Sequence, residues 1–398
     1  MNDIMDILSK GVVDFHSEKE LRMKIEKSKK TGKPLVIKTG FDPTSSDIHF
    51  GHTVLFNKMR QFQDAGHRVA YVVGDATAMI GDPSGRSKTR KQLTREEIQE
   101  NARTYAEQAF KILDRKKTDL VYNSSWLFPM NFADIIELSS KYNVARMLER
   151  DDFSKRFKDN KSIAIHEFIY PLAQAYDSVM LKNDVELGGT DQIFNLLLGR
   201  KIQQDYGQEQ QVVMTLPLLI GLDGKRKMSK SYDNYIGVSE PPDNMFAKIM
   251  SISDELMWNY YELLTDKSPG DIAKIQRDIK DSILHPKKCK EELAIFLTER
   301  FHGKAAAEEA KRNFYRDVPS NLAEYKTTLP EEGLQMAHIM CNAGMSGSNS
   351  QARRLIKQRA VSVDGEKIED PFLTLENPAS FILKVGKKQI KKIILKKN

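Results

Sequence analysis

The segment Gly40-Phe41-Asp42-Pro43-Thr44-Ser45-Ser46-Asp47-Ile48-His49-Phe50-Gly51-His52-Thr53 follows a short apolar run, 35–37. The run predicts a buried parallel strand, the Gly/Asp/Pro/Ser stretch predicts a turn, and the apolar spacing over 54–62 predicts a helix. The first N–H groups of a helix have no partner within the helix, so this succession favours an anion site. Gly51 lets a ligand approach the backbone closely. His49 and His52 are suited to donate hydrogen bonds to phosphate oxygens.

Short apolar runs alternate with helical patterns from Pro34 to about Gly224. The predicted strands are 35–39, 69–73, 120–123, 185–187 and 212–216, and the predicted helices between them are 54–65, 95–112 and 191–204. This alternation predicts an α/β fold with a doubly wound parallel (Rossmann-like) sheet, whose ligand crevice lies beyond the carboxyl ends of the strands. A spacing of 3, 4 and 7 residues places Tyr170, Gln174 and Asp177 on one helical face.

Three domains are predicted. Residues 1–224 form the Rossmann-like domain, 225–330 contain a Lys/Ser loop and an α-helical domain, and 331–398 form a small basic α+β domain. The stretch 321–332 is interpreted as a linker. In the last part, 348–359 predicts a capped basic helix, and 361–367 predicts a strand followed by an Asp-Gly hairpin turn.

The composition is that of an ordinary soluble protein, with 40% hydrophobic and 29% charged residues in 398. No apolar run approaches the roughly 20 residues of a membrane span, and the first residues lack the pattern of a secretory signal. The two cysteines, Cys289 and Cys341, form neither a metal-type pair nor a disulfide framework. These features predict a cytoplasmic protein.

The net charge of +7 is confined to the end of the chain, because residues 333–398 contain 12 Lys/Arg and 5 Asp/Glu. Such an asymmetry indicates a module that binds nucleic acid or a membrane surface, although a solubilising tail has the same composition. Arg353, Arg354 and Lys357 fall on related faces of the predicted basic helix.

A second motif, Lys227-Met228-Ser229-Lys230-Ser231, lies on a loop after the predicted strand 212–216. Its lysines and serines suit a polyphosphate, because they provide mobile charges and hydroxyl donors. The alternative interpretation of this motif is an ordinary solvated loop without a ligand. For His49 and His52, the alternative to phosphate binding is that they only cap the helix or pack against it. A metal site at the two histidines is disfavoured, because no neighbouring ligand cluster completes it.

The His-Phe-Gly-His and Lys-Met-Ser-Lys-Ser motifs together resemble the paired signatures of class I aminoacyl-tRNA synthetases. The similarity narrows to the tyrosyl-tRNA synthetases through 40–44, 80–85, the Tyr170/Gln174/Asp177 set and Gly188-Gly189-Thr190-Asp191-Gln192. The tail from about 335 resembles the ribosomal-protein-type RNA-binding domain of the bacterial enzymes. The resemblance spans nearly the whole chain.

The resemblance implies a role for each matching residue. The implied catalytic residues are Thr44, His49, His52, Lys227, Lys230 and Ser231. The implied ATP-binding residues are Asp42, Gly51, Gly189, Asp191 and Lys230. The implied tyrosine-binding residues are Gly40, Asp82, Tyr170, Gln174, Asp177 and Gln192, with Asp177 accepting the phenol proton. Arg353, Arg354 and Lys357 are implied to bind tRNA, and Arg86 and Arg90 to assist with phosphate or the tRNA acceptor end.

The resemblance also implies the substrates ATP (with Mg²⁺), L-tyrosine and tRNA(Tyr), a homodimer, and no tightly bound cofactor, metal site or membrane. The apolar stretches 126–136 and 144–148 suit either the dimer interface or the core. Lys38 departs from the pattern of the tyrosyl enzymes, because many of them have a tyrosine at this position that helps to bind the substrate hydroxyl. The KMSKS form of the loop, in place of a KFGKT-like form, points to a subgroup of that family. A tryptophanyl-tRNA synthetase, a non-catalytic RNA-binding protein and a nucleotidylyltransferase remain alternatives.

Overall fold

A largely parallel sheet forms the centre of the region that carries residues 40–53. The computed structural model of the protein describes residues 2–43, 47–83, 94–315, 323–330, 332–363, 366–377, 379–386 and 389–397. The strands of this sheet are β1 (Phe15–His16), β2 (Val36–Phe41), β3 (Arg68–Val73), β4 (Thr118–Tyr122), β5 (Val185–Gly189) and β6 (Val212–Leu216). Their order is β1-β6-β5-β2-β3-β4, and β1 pairs with β6 antiparallel while the other pairs are parallel. The winding reverses between β2 and β5, where the crevice of such a sheet lies.

Helices connect and follow these strands. Their bounds are α1 (Asn2–Ser9), α2 (Glu18–Thr31), α3 (Phe50–Asp64), α4 (Asp75–Ile80), α5 (Arg95–Ala109), α6 (Ser124–Leu127), α7 (Phe132–Ser140), α8 (Val144–Met147), α9 (Asp151–Lys158), α10 (Ile165–Leu181), α11 (Ile193–Asp205), α12 (Pro242–Ser251), α13 (Asp254–Leu264), α14 (Pro269–Lys280), α15 (Pro286–His302), α16 (Lys304–Tyr315), α17 (Met336–Asn342) and α18 (Asn349–Lys357). Side-chain oxygens of Ser17, Thr94 and Ser348 cap α2, α5 and α18, because each accepts a hydrogen bond from an N–H of the first turn.

Tertiary contacts divide the chain into two units, residues 1–240 with 251–290 and residues 241–250 with 291–398. The predicted α/β class and the parallel sheet of the first unit are confirmed. Each predicted strand overlaps an observed one, since uninterrupted apolar runs are typical of strands buried on both faces. The short strand β1, which pairs with β6, was not predicted from the helical pattern of residues 1–34. The boundaries of the three predicted domains remain a prediction.

A second sheet lies in the carboxyl-terminal part of the second unit. Its order is β10-β9-β12-β13-β7, and the bounds are β7 (Glu324–Leu329), β9 (Val361–Val363), β10 (Glu366–Lys367), β12 (Ala379–Val385) and β13 (Gln389–Lys397). A smaller ladder pairs β8 (Leu334–Gln335) with β11 (Thr374–Leu375).

The interpretation of 321–332 as a linker is wrong for 324–329, because β7 pairs in parallel with β13 over that whole range. Alternation of exposed and half-buried side chains along Glu-Tyr-Lys-Thr-Thr is the missed strand signal.

Each unit has its own buried core. In the first unit, Ile37, Val69, Val185 and Val213 on neighbouring strands have no measurable exposure. In the carboxyl-terminal part, α17, α18 and the sheet share a cluster that includes Met336, Ile356, Leu383 and Ile393. None of the helices in the described ranges combines the length and apolar composition required to cross a membrane.

Candidate active site

A cavity of about 340 Å³ opens beyond the carboxyl ends of β2 and β5. It brings together most residues that the sequence assigned to binding or chemistry. Those that line it are Gly40, Asp42, His49, Gly51, His52, Asp82, Tyr170, Gln174, Asp177, Gly189, Asp191, Gln192 and Lys227. Lys230 and Ser231 follow Lys227 on the same loop. Thr44, Arg86 and Arg90 lie outside the described residues.

The start of α3 holds two histidines in contact. His49 is the residue before the helix, and its Nδ1 accepts a hydrogen bond of 3.1 Å from the N–H of Gly51. His52 Nδ1 accepts one of 3.2 Å from the N–H of His49, and the two ring centroids are 4.0 Å apart. A Cβ on Gly51 would approach the His49 ring to 2.9 Å, so glycine is required for this arrangement.

Both histidines are held in the neutral form. Burial lowers the pKa of His52 to about 4, and burial together with His52 and Lys230 lowers the pKa of His49 well below its usual value. Since each Nδ1 accepts a backbone hydrogen bond, the remaining proton of each neutral ring is on Nε2. The helix start therefore presents two neutral N–H donors, which agrees with the expected phosphate site.

The opposite wall of the cavity is α10. Tyr170 donates its hydroxyl to Asp42 Oδ2 at 2.9 Å, and Asp42 Oδ1 accepts from Thr77 at 2.8 Å. The amide of Asn195 donates to Gln174 Oε1 at 2.9 Å. The first two bonds fix Asp42 next to Tyr170, and the third fixes the amide of Gln174 on the same helix.

A second group of polar side chains extends this network. Asn195 also donates to Gln192 Oε1 at 3.0 Å, and Gln192 in turn donates to Asp82 Oδ2 at 3.0 Å. Asp82 and Gln174, two of the residues expected around a substrate ammonium, are therefore connected through Asn195 and Gln192. Sequence analysis had not singled out Asn195.

Asp177 lies deeper in the cavity and is 3% exposed. Its Oδ1 accepts a hydrogen bond of 2.8 Å from Trp126 Nε1, and its Oδ2 accepts one of 3.3 Å from the Asn123 amide. Burial raises the pKa of Asp177 to about 7, while Lys38 and the two hydrogen bonds act in the opposite direction. Sequence analysis missed both partners, although the position of Asn123 directly after β4 is a usable signal.

Lys38 does not line the cavity. It is wholly buried beneath it, where Nζ lies 2.9 Å from Glu186 Oε1 and donates to Ser178 Oγ at 2.7 Å and to the Gln174 carbonyl at 3.0 Å. The position at which the resemblance implies a tyrosine is therefore occupied by an ammonium that contacts α10 from beneath the cavity. Glu186 on β5 is a further residue that sequence analysis missed.

The loop after β6 supplies the cationic side of the site. Lys227 Nζ is 2.8 Å from Asp191 Oδ2, and Lys230 Nζ is 3.5 Å from Asp47 Oδ2. Ser229 starts the short turn Lys230–Tyr232 by accepting from the N–H of Ser231. A Cβ on Gly189 would lie 2.7 Å from Asp191 Oδ1, so the backbone passes close to this carboxylate. These contacts place both lysines beside carboxylates that a polyphosphate would replace as partner.

The proposed tRNA-binding residues lie on α18 in the second unit. Arg354 and Lys357 are exposed. Arg353 is partly buried, since its guanidinium donates to Gln335 at 3.0 Å and lies 4.9 Å from the centroid of the Phe372 ring. The exposed pair is the part of this face that is accessible to an anionic partner.

Comparisons with known proteins place the chain in a family. The family model described as tRNA synthetases class I (W and Y) matches residues 29–316, and a model described as tyrosine–tRNA ligase SYY-like C-terminal domain matches residues 309–391. A tyrosine–tRNA ligase of Oleidesulfovibrio alaskensis is 50% identical over 401 aligned residues, which cover 100% of both chains. One of Geobacter sulfurreducens is 51% identical and covers 98% of each chain.

Solved structures show the same fold. The tyrosyl-tRNA synthetase of Archaeoglobus fulgidus, solved with L-tyrosine, aligns with a TM-score of 0.63 at 24% identity over 78% of this chain and 98% of that one. A truncated mitochondrial enzyme of Aspergillus nidulans aligns with a TM-score of 0.64 at 20% identity over 78% of this chain and 93% of that one. The fold, the two family models and the full-length relatives agree, and the chain belongs to the class I tRNA synthetases of the tryptophan and tyrosine group, within the tyrosine–tRNA ligases.

Proposed function

We propose that this protein activates L-tyrosine with ATP and transfers the tyrosyl group to the 3′ end of tRNA(Tyr). The observation that carries the proposal is a single cavity lined by a neutral histidine pair, a loop lysine and the buried carboxylate of Asp177. Relatives that cover the full chain at about half identity are named tyrosine–tRNA ligases, which favours tyrosine over tryptophan. The tryptophanyl alternative is thereby disfavoured.

In the first step the tyrosine carboxylate attacks the α-phosphorus of ATP, and the bond from that phosphorus to the bridging oxygen breaks to release pyrophosphate. The carboxylate is ionised at neutral pH, so no general base is required. The residues act by position and charge: His49 and His52 donate hydrogen bonds to the reacting phosphate, and Lys227, Lys230 and Ser231 hold the leaving group. Mg²⁺ enters as part of the nucleotide substrate.

The remaining residues position the substrates. The tyrosine ammonium is bound by Asp82, Tyr170 and Gln174, because a carboxylate and neutral acceptors suit a cation. The ATP side is formed by Asp42, Gly51, Gly189 and Asp191, with the last two at the ribose. A Cβ added to Gly40 would meet no atom within 4 Å, so open space for a ligand lies against the strand at this point.

Asp177 accepts the phenol proton of the substrate in this proposal, and Gln192 lies nearby. A buried acceptor that loses its partner when the hydroxyl is absent disfavours phenylalanine, and tyrosyl enzymes are themselves the standard example of this effect. In the second step, a hydroxyl of the terminal tRNA ribose attacks the mixed anhydride and AMP leaves. Arg353, Arg354 and Lys357 contribute to holding the tRNA by charge.

We further propose a homodimer in the cytoplasm. Phe132, Ile136, Val144 and Ile165 on α7, α8 and α10 are 77%, 54%, 61% and 81% exposed, which is unusual for large apolar side chains. Other residues of the same helices, such as Leu138 and Met147, belong to a buried cluster. In this proposal the exposed side chains of the stretches 126–136 and 144–148 form the interface together with Ile165, while Met147 belongs to the core. Cys289 and Cys341 are free thiols, which suits a reducing compartment.

The decisive experiment is amino-acid-dependent exchange of labelled pyrophosphate into ATP. Tyrosine is expected to support exchange, and tryptophan and phenylalanine to support little. The variant Asp177→Asn should lose most tyrosine-dependent exchange, because an amide presents both a donor and an acceptor to the phenol. Absence of exchange with any amino acid, in protein that binds tRNA, would instead favour the non-catalytic RNA-binding alternative.

A further inference from the structure

A buried cation and a buried carboxylate lie beneath the inner end of the cavity. Lys38 on β2 is 0% exposed and Glu186 on β5 is 1% exposed, with 2.9 Å between Nζ and Oε1. Removing two charges from water has a large cost, so a pair of this kind is weak evidence for stability alone. The Lys38–Glu186 pair is therefore expected to have a role in the neighbouring cavity.

The second oxygen of Glu186 is also engaged. Oε2 accepts a hydrogen bond of 3.1 Å from Ser178 Oγ and another from the Gln211 amide. Glu186 lines the cavity, but these bonds and the contact with Lys38 occupy both of its oxygens. Glu186 thus has three partners and Asp177 has two, so more acceptor capacity is left at Asp177 for a substrate hydroxyl.

Lys38 contacts α10 on both sides of Asp177 in the sequence. Nζ donates to the carbonyl of Gln174 and to the hydroxyl of Ser178. Gln174 precedes Asp177 by one turn of the helix and Ser178 is its direct neighbour, so these two bonds fix the part of the helix that carries the carboxylate. Its charge acts on the same carboxylate, since Lys38 lowers the pKa of Asp177 while Glu186 raises it.

The other groups around Asp177 divide by element. Trp126 on α6 and Asn123 after β4 are uncharged hydrogen-bond donors to it. Asp42 and Asp82 line the same cavity and engage Tyr170 and Gln192. The acidic side chains of α7, Asp134 and Glu137, instead raise the pKa of Tyr176, another residue of α10. The charges that act most directly on Asp177 are thus Lys38 and Glu186.

We infer that Lys38 is a positioning residue for tyrosine selection: it holds the Asp177 carboxylate in place and ionised, so that it can accept the phenol hydrogen, and Glu186 tunes this effect. The inference rests on the proposed function in assigning the phenol to Asp177. The role that a tyrosine hydroxyl fills directly in many related enzymes is thereby filled here through a charge behind the helix.

The ionisation of Asp177 can be observed in the ligand-free protein. The chain contains two tryptophans, and Trp258→Phe leaves Trp126, which donates directly to Asp177, as the reporter. In this background, the pH midpoint of Trp126 fluorescence is expected to fall in Glu186→Gln, to rise in Lys38→Met, and to lie between the two in the double variant. Asp177→Asn should abolish the transition, as the control for its assignment.

The pH midpoint is expected to shift in opposite directions in the two single variants, and this distinguishes the inference from a merely structural role of the ion pair. Loss of a structural ion pair would disturb both single variants in the same direction, and that result, or unchanged midpoints, would overturn the inference. If Lys38→Met does not fold, Glu186→Gln still decides, because the absence of a shift to lower pH contradicts the proposed effect. These titrations require no catalytic activity.

Exchange kinetics then test the consequence for selection. At pH 7, Lys38→Met should lower kcat/KM for tyrosine by about fivefold for the first unit by which the Asp177 pKa rises above about 7, and by about tenfold for each further unit. Activity with phenylalanine should change little, so the tyrosine-to-phenylalanine ratio falls, and tyrosine activity should recover as the pH is raised. Equal losses for both amino acids at every pH would overturn the inference. A wild-type protein without tyrosine-dependent exchange would instead contradict the proposed function.

Discussion

At the scale of single residues, the loop lysines are distinguished by their partners. Lys227 lies 2.8 Å from Asp191, a residue of the cavity wall, whereas Lys230 is at 3.5 Å from Asp47 in the segment before α3. Lys230 also lies 6.0 Å from the centre of the Tyr235 ring. As the second lysine of the loop, Lys230 is proposed to act on a phosphate whose charge increases during the reaction. Such a group contributes to the transition state more than to the ground state.

Lys230→Ala is therefore expected to lower the rate of tyrosine activation by about 10²-fold to 10³-fold, which is typical for loss of one electrostatic donor. The KM for ATP should change by only a few-fold. Pre-steady-state measurement of adenylate formation at varied ATP concentration separates the two effects. Lys225→Ala, at an exposed position of the same loop, is the matched control. Equal losses in rate and affinity would contradict a transition-state role.

At the scale of elements, the start of α3 couples catalysis to stability. The two histidines cap the helix with their Nδ1 atoms, and capping requires that these nitrogens carry no proton. The same neutral form supplies the Nε2–H donors proposed for phosphate. Local helix capping and phosphate binding therefore depend on one protonation state.

This coupling predicts a loss of stability in acid. The pKa of His52 is lowered from 6.5 to about 4 in the folded protein, so the unfolded chain binds the proton more readily between these values. The free energy of unfolding consequently decreases as the pH falls below about 6.5. Between pH 7 and pH 5, wild type should lose on the order of 2 kcal/mol more than His52→Asn, which retains an acceptor for the His49 N–H. Urea unfolding at both pH values measures this, and equal losses would refute it.

At the scale of the whole molecule, two surfaces lie outside the cavity: an exposed apolar surface on α7, α8 and α10, and an exposed basic surface on α18. The first suits a second copy of the chain, because burial of apolar area drives association. The second suits an anionic partner, because all of the net charge lies in the last part of the sequence. Each surface predicts a separate effect of substitution.

For the apolar surface, Phe132→Glu with Ile136→Glu is expected to convert a dimer into monomers, because charges would be buried at the interface without partners. Sedimentation velocity at micromolar concentration measures the change. Ile283→Glu provides the control, since Ile283 is 71% exposed, belongs to the same unit and is not part of α7, α8 or α10. A wild-type monomer, or a double variant that remains dimeric, would exclude this surface as the interface.

For the basic surface, Arg354→Glu with Lys357→Glu should reduce kcat/KM for tRNA by about tenfold or more and lower the salt dependence of tRNA binding by about two charges. Tyrosine-dependent exchange should remain unchanged, since α18 and the cavity belong to different units. Lys29→Glu with Lys30→Glu, at exposed positions of α2, makes the same change in charge elsewhere. Similar losses in both variants would indicate a general charge effect.

Much of this protein follows from the sequence alone. Continuous apolar runs such as 69–73 predicted the parallel strands, because a strand buried on both faces has few polar positions. The histidine and lysine motifs predicted the residues of the phosphate side, because their spacing is local and a helix start or loop presents them together. The strand β7 was missed, since its pairing with β13 joins residues far apart in the chain.

The tertiary structure alone decided how the proposed tyrosine side of the cavity is built. Asn123 and Trp126 come from the segment after β4 and Asn195 comes from α11, and only the folded sheet and α10 bring them to Asp177 and Gln174. Lys38 was a departure from a pattern in the sequence and became a buried charge behind α10 in the structure. The reason is physical: the protonation state of a buried carboxylate depends on desolvation and on charges brought close through space, which local sequence does not encode.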